Sequence, residues 1–119
     1  MALELADSLV ADQAVIAGRV MERMENERPD MYRIYRDERA ARIRCREDIV
    51  FHIQHLAAAV LLGDHEVFVA YKGWLEEMLT ARAIPTDDVA RSFVALRDEV
   101  RERYGENGEP AVAVIEAVL

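Results

Sequence analysis

Cysteine is nearly absent from this sequence, and that absence excludes a good deal. The single thiol, Cys45, cannot form an internal disulfide, so the fold must hold without covalent staples and nothing points to an oxidising compartment. A cytoplasmic location is the expectation. Long apolar runs are missing as well: the longest candidate, Leu56 to Leu62, falls far short of the ~20 residues a membrane-spanning helix needs. Met1 to Val10 carries Glu4 and Asp7 with no basic cluster ahead of an apolar stretch, so it does not read as a secretory signal. There is no glycine-rich phosphate loop and no pair of cysteine couplets. Ser8 and Ser92 sit in no nucleophile motif. Positive charge is in deficit: a net charge of -8 argues against nucleic acid as the main partner, because phosphate binding depends on neutralising cations. Membrane is excluded as a partner on the same footing as a spanning helix.

What the chain does contain is apolar residues at helical spacing. With 119 residues, 52% of them hydrophobic, it is long enough to bury a core as a single domain over residues 1–119. Ile49, Ile53, Leu56 and Val60 recur in steps of four, three and four, and Val67, Phe68, Tyr71, Trp74, Leu75, Met78 and Leu79 keep the same beat. Gly63-Asp64 separates these two sets, glycine suiting the left-handed end of one helix and aspartate the cap of the next. The stretch Ile49 to Leu79 therefore reads as a helical hairpin on which the rest packs.

Upstream, Leu5, Leu9, Ile16, Val20 and Met24 form one stripe, predicting a first helix from about Ala6 to Glu27 that stops before Pro29. Gly18 within it costs ~1 kcal/mol relative to alanine and suggests close packing. Asp30 is a candidate cap for a short amphipathic turn carrying Met31, Ile34 and Tyr35. A break near residues 37–39 then leads into a helix from about Glu38 to Leu62. The third helix is expected to reach about Ala83. Past Pro85, Thr86-Asp87-Asp88 supplies a cap and two acids for the fourth, whose stripe is Val89, Phe93, Leu96, Val100 and Tyr104. Gly105 to Gly108 reads as a loop, and Pro110 suits the first position of a last helix, Ala111 to Leu119. That last segment is apolar nearly all round, so it must be buried on several sides. It either plugs the bundle, packs on a second copy, or forms a terminal strand. The expected fold is an all-α, single-domain bundle of four to five helices.

The sharpest constellation is on the second helix. Cys45, Asp48, His52 and His55 lie three, four and three residues apart, within about 80° around a helix. All four residue types bind transition metals. Cys45 and His55 are roughly 15 Å apart along the axis, so one ion cannot take them all. Asp48, His52 and His55 are the candidate metal ligands, completed from another helix or another copy. The Glu-x-x-His pairs of di-iron bundles are missing. The alternative is that His52 borders the core and hydrogen-bonds a neighbour, with Asp48 paired to it or to Arg44. Arg44 and Arg46 flank Cys45 and could lower its pKa, but His52 is about 10 Å away along the axis, too far for a catalytic dyad. No enzyme activity is expected.

Two further surfaces stand out. Phe68, Tyr71 and Trp74 could line a pocket for a flat ligand, with His52, His55, Tyr71 and Trp74 as its binding residues, or could be plain core. Tyr32 and Tyr35 could form a similar surface. Between Arg28 and Arg46, seven arginines face three acids, a local excess of four positive charges. Arg36, Arg39, Arg42 and Arg46 are therefore candidates for a surface that binds an acidic partner or an anionic ligand. They could instead pair internally, with Asp98, Glu99 and Glu102 or with the acids of the first helix.

The run from His55, through Leu61-Leu62-Gly63-Asp64, Phe68, Trp74-Leu75 and Ile84-Pro85 to Asp88-Val89, resembles the helical modules of bacterial cobalamin-binding regulators. The resemblance covers about Phe51 to Val100. It departs from that family where Asp64 is followed by His65 and Glu66, without the Asp-x-His-x-x-Gly of the cobalamin domain, so no cofactor residues carry over. In size and helix order the chain is also similar to non-haem globin-like sensor domains. Either resemblance implies a helical regulatory module whose state is read by a partner. The expected function is a non-catalytic regulatory, sensory or protein-interaction module that needs no cofactor, acting with a protein partner or as a homo-oligomer through the first helix or the apolar tail. The alternative is a helical protein binding a small ligand, metal, haem or cobalamin on the Cys45/Asp48/His52/His55 face.

Overall fold

A computed structural model describes residues 2–119, and among these the chain is all-α with no strand. It runs α1 (Ala2–Ala11), α2 (Gln13–Glu27), α3 (Glu38–Leu62), α4 (Glu66–Ala81), α5 (Asp87–Tyr104) and α6 (Glu109–Glu116), with a 3-10 turn at Gly105–Gly108. The all-α bundle agrees with the expectation from periodicity, and the departures have identifiable causes.

The first expected helix is two. It bends at Asp12, where φ -95° and ψ 6° leave helical geometry while Asp12 N still donates to Ser8 O and Ile16 N to Asp12 O. Asp12 is held from across the molecule: its carboxylate accepts from the Tyr104 hydroxyl at 2.8 Å and lies 3.6 Å from Arg103 Nε. Gly18, by contrast, leaves α2 unbroken. The Arg46 side chain of α3 crosses it so closely that a Cβ there would stand 2.9 Å from the guanidinium.

Residues 28–37 form turns and no helix, so Asp30 caps nothing; its carbonyl instead accepts from Arg33 N at 3.0 Å. Met31 and Tyr32 of this segment are buried, whereas Ile34 points outward at 69% exposure. Asp37 starts α3, its carboxylate accepting from Ala40 N at 3.1 Å. Such a cap contributes about 1 kcal/mol.

The centre of the bundle is α3 rather than the whole hairpin. Leu5 and Leu9 of α1, Ile16 and Val20 of α2, and Val112 and Ile115 of α6 are buried with Ile49, Ile53, Leu56 and Val60 of α3, while α5 closes over α2 and α6. Each large side chain buried there contributes roughly 1.5–3 kcal/mol. The link from α3 to α4 is as expected: Gly63 adopts φ 61°, ψ 33°, and the Asp64 carboxylate accepts from Glu66 N at 2.9 Å. The main backbone contact of α4 is with α3. It meets α5 chiefly through side chains, as where the Phe68 ring packs 5.1 Å from that of Phe93, and this looser apposition leaves a hollow on one side of the molecule.

Helix α4, the third expected from periodicity, ends at Ala81 rather than at about Ala83. Ala83 takes a left-handed φ of 57°, and Ile84 N reaches back to Leu79 O at 2.9 Å, turning the chain sharply into α5. Thr86 makes no side-chain capping bond, although Asp87 and Asp88 do occupy the first turn. The apolar tail is helical and docks within the chain: Ala111, Val112, Val114 and Ile115 are buried against α5 and α3. Gly108 permits this approach, since a Cβ there would come within 3.0 Å of Val100 Cγ1 and 3.1 Å of its carbonyl oxygen. Lys72 Nζ donates to Val118 O at 2.9 Å and fastens the far end.

Candidate functional site

A cleft of about 800 Å³ lies between α3, α4, the 31–37 segment and the start of α5. Two features of the fold make it. The polar first half of α3 runs past the core, and the turns around Met31 to Tyr35 cover it from one side. Of the residues singled out from sequence, Asp48, His52, Tyr71, Trp74 and Arg36 line this cleft, as do Cys45, Tyr32 and Tyr35. His55 is not among the lining residues; it stacks on the Tyr71 ring at 4.0 Å with 14° between planes.

His52 lies at the floor and is fully engaged. Nδ1 is 2.5 Å from the Tyr71 hydroxyl and Nε2 is 3.1 Å from Ser92 Oγ. Ser92 donates its own proton to Val89 O at 2.7 Å, so it can only accept from His52. The imidazole therefore carries its proton on Nε2, and Nδ1 accepts from Tyr71. This chain, Tyr71 to His52 to Ser92 to Val89, satisfies every group in it. Burial, with a lesser contribution from His55, lowers the His52 pKa to about 3 and keeps it neutral. Although Ser92 and His52 are adjacent, the serine proton is committed to a backbone carbonyl, so the pair holds no poised nucleophile.

The metal set does not converge. Among the described residues, no group of three or more His, Cys, Asp or Glu side chains is placed to hold an ion. His52 has no free ring nitrogen, and His55 Nδ1 donates to Phe51 O at 2.7 Å, leaving only its Nε2. A metal, haem or cobalamin axial bond to His52 would have to displace the buried hydrogen bond at whichever ring nitrogen it used. Cys45 is half-buried and its thiol is pushed up, by burial first, a contact with Tyr32 pulling the other way. The flanking arginines thus do not activate it.

Asp48 is the exception among these polar groups. It is half-buried, yet no hydrogen bond or ion pair among the described residues includes it, so it pairs with neither His52 nor Arg44. Burial raises its pKa, while the charges of Arg44 and Arg82 oppose the shift. Tyr71, Tyr35 and Cys45 all sit within reach of its charge. Tyr32 is 4% exposed, and its buried hydroxyl lies beside the Cys45 thiol without making a hydrogen bond of good geometry. Trp74 and Phe51 line the mouth while remaining 57% and 52% exposed. No protein-family model, curated protein or solved structure matches this chain.

The arginine surface divides. Arg42 pairs with Glu25 and places its guanidinium 4.5 Å above the Tyr32 ring, pinning the 31–37 segment. Arg46 lies across Gly18. Arg36 and Arg39 are exposed, the former at the cleft edge. None of them reaches Asp98, Glu99 or Glu102. The internal pairing expected with those acids is made instead by Arg19 and Arg23 of α2: Glu99 Oε1 is 3.2 Å from Arg23 Nε and 3.9 Å from Arg19 Nε, and Glu102 contacts both arginines. Sequence reasoning named Glu99 as a partner for the wrong arginines and missed its burial, that of Ser92, and Phe51 at the cleft mouth. The burial of Glu99 and Ser92 was detectable: each occupies a position on the buried stripe of α5, where a polar residue needs a partner. Among the described residues, no helix is long and apolar enough to cross a membrane.

Proposed function

We propose that the protein is a non-catalytic sensory or regulatory module that holds a small organic ligand in the cleft between α3 and α4. Its state would be read by a protein partner, which can be a second copy of the chain. The observation that carries this reading is the cleft itself. At about 800 Å³ it has the volume of a small-molecule site, walls that are largely aromatic and apolar, and a few polar groups left without partners. A structural core has no use for a half-exposed tryptophan and phenylalanine beside an unpaired carboxylate. The engaged His52 and Ser92 argue against catalysis at this floor. The tail is largely buried within its own chain, which favours Leu3, Val10 and Val15, the exposed large apolar residues of α1 and α2, as the surface for self-association.

Trp74 is the only tryptophan and stands at the cleft mouth, so its fluorescence reports occupancy directly. The expected result is a saturable shift in Trp74 emission with some members of a metabolite library, or a retained small molecule in native mass spectrometry. An emission spectrum unmoved across the library, together with a bare polypeptide mass, would refute the reading.

A further inference from the structure

Building on the ligand-binding reading, we propose that the cleft takes an organic cation, an ammonium group on an aromatic or apolar body, with Asp48 as counter-charge. Tyr35, Tyr71 and Trp74 supply its walls. The argument starts from which charges the cleft has left over. Of the carboxylates that line it, Asp37 caps α3 through Ala40 N, and Asp88 pairs with Arg28 at 2.9 Å. Glu47 is exposed to solvent, as are the lining arginines Arg36, Arg44 and Arg82. Asp48 alone is withdrawn from water and unpaired.

Exposed charges are screened by water and salt within about 8 Å, whereas a half-buried charge acts at a lower effective dielectric. The one half-buried carboxylate without a partner therefore sets the preference more than the three arginines at the rim. Aromatic rings around it add to that preference, because their faces attract cations and repel anions. The Tyr32 hydroxyl, more than nine-tenths buried on the same wall, lies beside the Cys45 thiol and makes no hydrogen bond among the described residues, so polarity on this wall is left unsatisfied. An ammonium ion at Asp48 satisfies the carboxylate with charge-assisted hydrogen bonds that no residue of the chain now makes.

The test uses three probes that share a phenyl ring and short tether and differ in head-group charge: phenethylamine, 2-phenylethanol and 3-phenylpropionate. Each is titrated into the full chain while Trp74 fluorescence is followed. Phenethylamine should bind roughly tenfold more tightly than the alcohol, and the carboxylate least well. Asp48→Asn should bring the amine down to the alcohol's affinity with the helical circular dichroism unchanged, and Arg44→Gln should hold or strengthen amine binding. Equal affinity for amine and alcohol, or tighter binding of phenylpropionate, would overturn the cation assignment while leaving the cleft as a ligand site. No response to any of the three would count against both.

Discussion

The seam between α2 and α5 and the cleft between α3 and α4 each take a carboxylate away from water, and they treat it in opposite ways. Glu99 is 2% exposed and meets Arg23 at 3.2 Å, with Arg19 behind it. Asp48 is half-buried and meets nothing. The seam joins two helices whose faces are fully apposed, so its polar residues hold the fold together. In the cleft, α3 and α4 leave a hollow between them, and its polar residues are available to something else. Unpaired polarity in an aromatic-lined hollow is the physical mark that separates a site from a strut.

Removing the partner of Glu99 should break this contrast most severely. Arg23→Ala leaves a buried carboxylate with only the weaker Arg19 contact and should lower the unfolding free energy by about 3 kcal/mol in urea denaturation. Loss below about 1 kcal/mol would mean the seam is no more committed than the cleft. Acid tests the cleft floor next. The folded pKa of His52, lowered to about 3, lies below its ordinary 6.5, so the unfolded chain takes up the proton first. Its contribution to stability is therefore present above the ordinary value and is lost as pH falls through the window below it, by roughly 2–3 kcal/mol on reaching about pH 4. A denaturation series against pH should show that limb, and His52→Gln, which can still bond Tyr71 and Ser92, should flatten it.

The smallest effect is the most telling one. Asp48→Asn should leave stability unchanged at neutral pH or raise it by up to ~1 kcal/mol, since a desolvated charge without a partner disappears. The sign follows from a folded pKa raised by burial: the native state holds the proton longer, so the Asp48 contribution falls as pH rises through the interval above the ordinary carboxylate value. A destabilisation as large as that of Arg23→Ala would show that Asp48 is structural after all.

The residues of the cleft were partly legible beforehand. Spacing placed Cys45, Asp48 and His52 on one face of α3, and they do share the cleft; Tyr71 and Trp74 were rightly grouped on α4. Spacing gives a direction around a helix and says nothing of depth. His52 and Asp48 are four residues apart on the same face, yet one is sealed beneath Tyr71 and Ser92 and the other is open. Periodicity could not separate a ligand from a core histidine, because the deciding groups lie 19 and 40 positions away. Likewise Arg42 and Arg23 look alike in sequence, and only the apposition of α2 with α5 made the second a partner of Glu99.

Local chemistry therefore determined where the chain turns and which sides of its helices face inward: Gly63 ends α3, Asp37 begins it, and the apolar stripes choose the buried faces. These depend on neighbours within one or two helical turns, which the sequence contains in full. Tertiary structure decided the bend at Asp12, the burial of the tail within its own chain, the pairing of Glu99 and the isolation of Asp48. Each depends on which helices approach and which stand apart, a balance of packing across the whole domain that no single stretch encodes.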